Sequence, residues 1–269
     1  RLSSSLRKYP VAFNFMRKAY KIGFALRGQY IKIRMNALKR VLNRNSDLSS
    51  IEIIQSPSRF VVSLKNGNKF WWQNPADPNH LLNIIVHGHP HQYEFEEDQF
   101  FRKIISAGDT VLDIGANFGW HSITFGHLVG SRGKVFCFEP ISSVYAELQE
   151  NIRLNFPDGR FVTGKIALGN KDINTTMYFE HNLGSAFASF SPPAISKKLL
   201  HAESVDMRRL DSLVLEHGIG RVDFIKCDVE GAEGKVIEGA EVFLRNHKPF
   251  IMMEVNPPST KDIFPLMES

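Results

Sequence analysis

The sequence predicts an α/β fold, a doubly wound parallel sheet with helices on both faces, and three stretches predict it. Val111, Leu112 and Ile114 form a short apolar run interrupted by Asp113, and Gly115-Ala-Asn-Phe-Gly119 turns the chain into an apolar stretch from Trp120 to Leu128. That is a strand, a glycine turn and a helix. Val135-Phe-Cys-Phe138 is a second buried run, ending in Glu139-Pro140, and Val222 to Cys227 is another, tipped by Asp228 and turning at Gly231. Short apolar runs alternating with helical periodicity mark strand–helix–strand units.

The first turn narrows the ligand. Glycine lacks Cβ, adopts positive φ, and lets backbone N–H groups approach a ligand at the positive end of a helix. A dinucleotide fingerprint reads G-x-G-x-x-G, whereas Gly115 and Gly119 flank Ala116, Asn117 and Phe118 and follow an acid, Asp113. The pyrophosphate cradle fits poorly. Glu139 lies 26 residues beyond Asp113, at the tip of the second strand, where a carboxylate accepts both hydroxyls of a ribose. An acidic glycine turn with a ribose acid and no phosphate cradle points to S-adenosylmethionine.

A chain of 269 residues has room for one large α/β domain and an appendage, and 43% hydrophobic with 23% charged residues is ordinary for a globular protein. No apolar run is long enough for a transmembrane helix. Cys137 and Cys227 fall in predicted buried strands and read as reduced core thiols, which favours the cytoplasm.

The net charge of +5 conceals an asymmetry: residues 1–46 carry twelve of the 33 Lys and Arg and none of the 28 Asp and Glu. Phe13, Met16, Tyr20 and Phe24, then Ile31, Met35, Leu38 and Leu42, recur at helical spacing, predicting two basic amphipathic helices broken near Gly28. Such an arm packs on its own domain or on a second copy in a homo-oligomer; peripheral contact with an anionic membrane or acidic glycan is the alternative, ahead of nucleic acid.

Residues 47–92 read as a small β cap. Phe60, Val62 and Leu64 alternate onto one face, and Asn66-Gly67 turns the chain into Lys69-Phe-Trp-Trp72. His87, His89 and His91 would share one face of a strand, but Pro90 removes a ladder donor, so they read first as a loop, with a metal site or an acceptor base as lesser alternatives.

The main domain is expected over 93–269. Tyr93-Glu-Phe-Glu96 leads into a helix over 97–105 with Phe100, Phe101, Ile104 and Ile105 inward, which delivers Tyr93, Glu94 and Glu96 near the ligand edge; as acids at a helix start, Glu94 and Glu96 also suit the dipole. After Glu139-Pro140 comes a helix over 142–154. A third strand holds Phe161-Val162 and Ile166-Ala167-Leu168 around a polar kink, with Ala167 toward the cofactor and Thr163, Lys165 or backbone groups left to recognise adenine. Residues 170–207 form an insertion with two strands over the ligand edge, and 210–216 a helix.

Asp228-Val-Glu-Gly-Ala-Glu233 then places three acids in six positions before a helix over 232–244. Glu230 and Glu233 suit a helix N-terminus. That account explains Asp228 poorly, because a carboxylate ending an apolar strand at the mouth of an α/β crevice faces the ligand. After a fifth strand, Phe250 to Val255, 14 residues follow, so the antiparallel hairpin that often completes such a sheet is expected to be missing or supplied elsewhere.

Asp113-Ile-Gly-Ala-Asn-Phe-Gly119, Phe138-Glu-Pro140, Leu210-Asp-Ser-Leu213, Ile225-Lys-Cys-Asp-Val-Glu-Gly-Ala-Glu233 and Met253-Glu-Val255 together resemble the FkbM family of S-adenosylmethionine-dependent methyltransferases, over residues 93 to 257. The resemblance implies a class I, Rossmann-like methyltransferase sheet and O-methylation of a hydroxyl on a sugar, glycan or natural product. It implies that Asp113, Gly115 and Asn117 hold the methionine end, with Ala116 and Gly119 in the same turn, that Glu139 beside Pro140 holds the ribose, and that Asp228 lies beside the sulfonium. Tyr93-Glu-Phe-Glu96 departs at Phe95 from the family's Tyr-Glu-Pro-Glu. Transfer to a neutral alcohol requires an aligned oxygen and a proton acceptor, for which Asp228 or Glu230 is the expected base, His121 a rival, and no metal is compelled. A nucleotide-dependent oxidoreductase and a non-catalytic scaffold on the same fold are the alternatives.

Overall fold

The structure is a computed structural model that describes residues 31–33, 48–55, 58–72, 95–180, 188–190 and 200–254. The chain divides into two compact units, 1–97 and 98–269.

The first unit carries an antiparallel meander of β1 (Ile31–Ile33), β2 (Leu48–Gln55), β3 (Ser58–Leu64) and β4 (Lys69–Trp72). Ile31–Ile33 is therefore strand, not the helix its spacing predicts: Ile31 pairs with Ile53 and Ile33 with Ile51, so the basic arm contributes a strand to the cap. β-branched residues at both ends of a three-residue run favour that pairing. The remaining arm residues lie outside the described residues. The hairpin expected at Asn66-Gly67 is present, closed by the Leu64 N–H donating to the Asn68 carbonyl at 2.8 Å, with Gly67 at φ 95°. Val61 is as buried as Val62, so β3 is covered on both faces rather than alternating.

The second unit holds, in order, α1 (Phe95–Ile104), β5 (Thr110–Ile114), α2 (Trp120–Val129), β6 (Lys134–Phe138), α3 (Ser142–Asn155), β7 (Phe161–Gly164), β8 (Ala167–Leu168), β9 (Ile173–Glu180), β10 (Leu200–Arg208), α4 (Leu210–His217), β11 (Phe224–Cys227), α5 (Glu233–Glu238), α6 (Glu241–His247) and β12 (Phe250–Met253), α1 beginning just before the division. Five strands make one sheet in the order β12-β11-β5-β6-β7, every pair parallel. The chain winds outward from β5 in one direction and from β11 in the other, which puts the switch point between these neighbours. Alternate residues of each strand feed opposite faces. Val111, Val135, Cys137 and Phe224 pack with Phe101, Phe125, Leu148 and Ile152 of α1–α3, while Leu112, Ile114, Phe136 and Ile225 pack with Leu210, Leu213, Val236 and Phe243 of α4–α6. This is the doubly wound sheet the three apolar runs predict. Phe100 is the exception in α1, 42% exposed instead of inward.

Two expected elements are divided. The third strand ends at Gly164, and Ala167–Leu168 leaves the central sheet to pair in parallel with Met207–Arg208, forming a second sheet of order β8-β10-β9 from the insertion. The helix expected over 232–244 breaks into α5 and α6 at Gly239, where an added Cβ would lie 1.9 Å from the Gly169 carbonyl oxygen. Cys137 and Cys227 are buried free thiols, as expected. Among the described residues, no helix is long and apolar enough to cross a membrane.

Candidate active site

The crevice outside the carboxyl ends of β5 and β11 is formed by two loops, 115–119 and 228–232. The first depends on its backbone: Gly115, Asn117 and Gly119 have φ of 79°, 51° and 95°. Contrary to the sequence expectation, its N–H groups are spent internally. Those of Gly115 and Ala116 both donate to the Phe138 carbonyl at 3.0 Å, that of Asn117 to Glu139 Oε2 at 3.1 Å, that of Phe118 to Asn117 Oδ1 at 2.8 Å, and that of Gly119 to the Ala116 carbonyl at 3.0 Å. The backbone N–H groups of residues 115–119 are therefore not available to cradle a phosphate, and the acids beside the turn are Asp113 and Glu139.

Asp113 lies beneath the turn, 1% exposed. Its Oδ2 accepts from the Ser122 hydroxyl on α2, and its Oδ1 is buried without a hydrogen-bond partner. Burial pushes the Asp113 carboxyl above the usual range, opposed by the Lys226 ammonium and the Ser122 hydroxyl. An orphaned carboxylate oxygen is costly, and a cationic donor such as an amino-acid ammonium would relieve it. Glu139, also 1% exposed, ties the first loop to the segment after β6: Oε2 accepts from the Asn117 N–H and Oε1 from the Ile141 N–H at 2.9 Å.

The second loop meets the first at contact distance. A Cβ on Gly115 would lie 1.8 Å from the Asp228 carbonyl oxygen, and the Asp228 N–H donates to the Ile114 carbonyl at 3.0 Å. Only glycine permits that approach. Buried Glu233, the first residue of α5, reaches back so that its Oε1 accepts from Val229 at 3.2 Å and Gly231 at 3.0 Å, which fixes the loop rather than merely complementing a dipole. The Asp228 carboxylate accepts from Lys226 Nζ at 2.8 Å. Glu230 sits at φ 55°, a strained conformation for a side-chain-bearing residue. Although Glu230 is exposed, desolvation by its neighbours, then the Asp228, Glu254 and Glu233 carboxylates, push its carboxyl up to about 7, against the pull of Lys226.

Asp113, Gly115, Ala116, Asn117, Gly119, Glu139, Asp228 and Glu230 thus belong to the two loops and the strand tips that carry them. Pro140 is buried directly after Glu139. Ala167 is buried in the insertion's own core with Ile141, Val144 and Met207. Thr163 and Lys165, expected at adenine, are engaged locally: the Thr163 hydroxyl lies 2.9 Å from that of Tyr145, and Lys165 Nζ donates to the Ser142 hydroxyl at 2.9 Å and pairs with Glu203 at 3.5 Å. His121 is buried in the aromatic cluster, its ring centroid 5.1 Å from that of Phe101. Glu96 is exposed in the first turn of α1, while Tyr93, Glu94, His87, His89 and His91 lie outside the described residues. Among the described residues no group of three or more His, Cys, Asp or Glu could hold a metal ion. Sequence reasoning missed Lys226; its signal was a lone cation inside an apolar strand, beside an acid two positions on.

Comparison with known proteins identifies the frame. The methyltransferase FkbM domain family matches residues 113–269, from the buried acid of β5 onward. The chain belongs to this family. Two relatives are 29% identical: 31-O-demethyl-FK506 methyltransferase FkbM of Streptomyces tacrolimicus over 160 residues, and 2-O-methyltransferase NoeI of Sinorhizobium fredii over 142. The matches span 50% and 49% of this chain but only 60% and 57% of those proteins. A solved SAM-dependent O-methyltransferase of Thermotoga maritima has a TM-score of 0.40 at 15% identity over 77% of this chain and 61% of its own, too distant to add to the strand order.

Proposed function

We propose that this FkbM-family chain transfers a methyl group from S-adenosylmethionine to a hydroxyl oxygen of a sugar, glycan or polyketide-like acceptor. The observation that carries this reading is the acidity of the crevice: Asp228 and Glu230 on one of two touching loops, and Asp113 and Glu139 beside the other, whose turn has spent its backbone N–H groups. Such a site favours a cationic nucleoside over a phosphate-bearing one. The relatives' names, both O-methyltransferases, support the oxygen acceptor.

In this reading Asp113 Oδ1 receives the ammonium of the methionine end and Glu139 the ribose hydroxyls. The bound cofactor supplies an electrophilic methyl on a sulfonium. Asp228, held by Lys226, would orient the acceptor hydroxyl, and Glu230, with its carboxyl at about 7, would take the hydroxyl proton as the O–C bond forms and the C–S bond breaks to leave a neutral thioether. Incubating the chain with methyl-tritiated S-adenosylmethionine and a panel of sugar, glycolipid and polyketide alcohols tests the reaction. Label recovered in an ether-linked product supports it; label recovered only on nitrogen or carbon acceptors contradicts it.

A further inference from the structure

Lys226 is the residue the site holds and the mechanism above barely uses. It lies on β11 between two strands, its Cα partners being Asp113 on β5 and Met252 on β12, and only 7% of its side chain is exposed. A lysine this deep is desolvated, which disfavours its charge unless acids surround it. They do. Nζ donates to Asp228 Oδ2 at 2.8 Å, and across the ladder stands Asp113, whose unpartnered oxygen needs a counter-charge.

We propose that Lys226 is a positioning residue that binds the two loops into one charge network: its ammonium holds the Asp228 carboxylate by a hydrogen bond and serves, through the ladder, as the counter-ion of Asp113. The assignment rests on the reading of Asp113 and Asp228 as the site's cofactor-side and acceptor-side carboxylates. Its consequence is that the cofactor end and the acceptor end of the crevice share a single fixed cation. Losing that cation removes the largest pull that opposes the burial of Asp113. The other groups facing Asp113 are Ser122 and His121 on α2, Asp228, and the neutral thiol of Cys137 on β6, whose own ionisation burial and Asp113 oppose. Of these, Lys226 exerts the largest pull toward the ionised form.

The test is the titration of the Asp113 carboxyl by carbon-detected NMR, assigned by its disappearance in Asp113→Asn, in the full chain without cofactor or acceptor. Lys226→Met keeps the stem and removes the charge, and should shift the Asp113 midpoint to higher pH; Lys226→Arg should hold it near the wild-type position. An unmoved midpoint in a folded Lys226→Met variant overturns the proposal, because a packing role for the stem predicts that result. A double-mutant cycle on unfolding free energy gives an independent reading. The combined Asp113→Asn/Lys226→Met loss should be smaller than the sum of the single losses, and additive losses overturn the assignment. If Lys226→Met alone does not fold, recovery of a folded double variant supports the proposal and failure of the double variant to fold overturns it. Since neither measurement involves methyl transfer, either can succeed when the proposed reaction fails.

Discussion

Replacing Gly115 by alanine tests the join between the two loops, because the structure states both penalties it would carry. At φ 79° a side-chain-bearing residue costs about 1–2 kcal/mol in backbone strain. The added Cβ would also fall 1.8 Å from the Asp228 carbonyl oxygen, a backbone atom that cannot rotate away, so the strand tips must separate. Separation strains the Asp228-to-Ile114 bond of 3.0 Å and the Gly115-to-Phe138 bond of 3.0 Å, each worth about 0.5–1.5 kcal/mol net. The expected loss is about 2–5 kcal/mol. Gly218→Ala is the control, since Gly218 has φ +59° with nothing within 4 Å of its Cβ position, and it should cost only the strain of about 1–2 kcal/mol. Urea unfolding followed by circular dichroism measures both. A Gly115→Ala loss no larger than that of Gly218→Ala would refute the close approach of the loops.

Glu230→Gln should remove the acid limb of the turnover profile: a base whose carboxyl lies at about 7 is active when ionised, so wild-type turnover rises with pH through about 7. The same raised value makes the fold prefer protonated Glu230, so it contributes destabilisation that grows as pH rises from about 4.5 to about 7; Glu230→Gln should flatten that part of the stability curve, and an unchanged curve counts against the assignment. Asp211, on α4, accepts from the Phe243 and Val242 N–H groups at 2.8 and 3.3 Å and so caps α6 from another helix. Asp211→Ala should cost about 1–2 kcal/mol in the same unfolding assay while leaving cofactor affinity unchanged.

Where apolar run length and glycine chemistry decide the outcome, the sequence is readable: β5, β6 and β11 read as near-continuous apolar runs because each is buried on both faces, and Asp113, Glu139 and Asp228 stand out because each breaks or ends such a run. Periodicity reports burial but not the partner. Ala167 and Leu168 are buried as their neighbours predict, yet against Met207 and Arg208 of the insertion instead of the central sheet. The break at Gly239 follows from a carbonyl seventy residues earlier in the chain, and nothing local announces it. The N–H groups of Gly115, Ala116 and Asn117 look available in sequence because their acceptors, the Phe138 carbonyl and the Glu139 carboxylate, belong to the next strand and its tip. Lys226 was hidden for a related reason. Its meaning depends on Asp113 standing beside it across the ladder.

The central claim, that this crevice receives a cationic nucleoside through Asp113 and Glu139, is tested most directly by calorimetric titration with S-adenosylmethionine, with NADH as control and Glu139→Ala beside the wild type. Binding of S-adenosylmethionine alone is expected, with a Kd on the order of micromolar, and its loss in Glu139→Ala. Binding of NADH in preference, or full affinity for S-adenosylmethionine in Glu139→Ala, would contradict it.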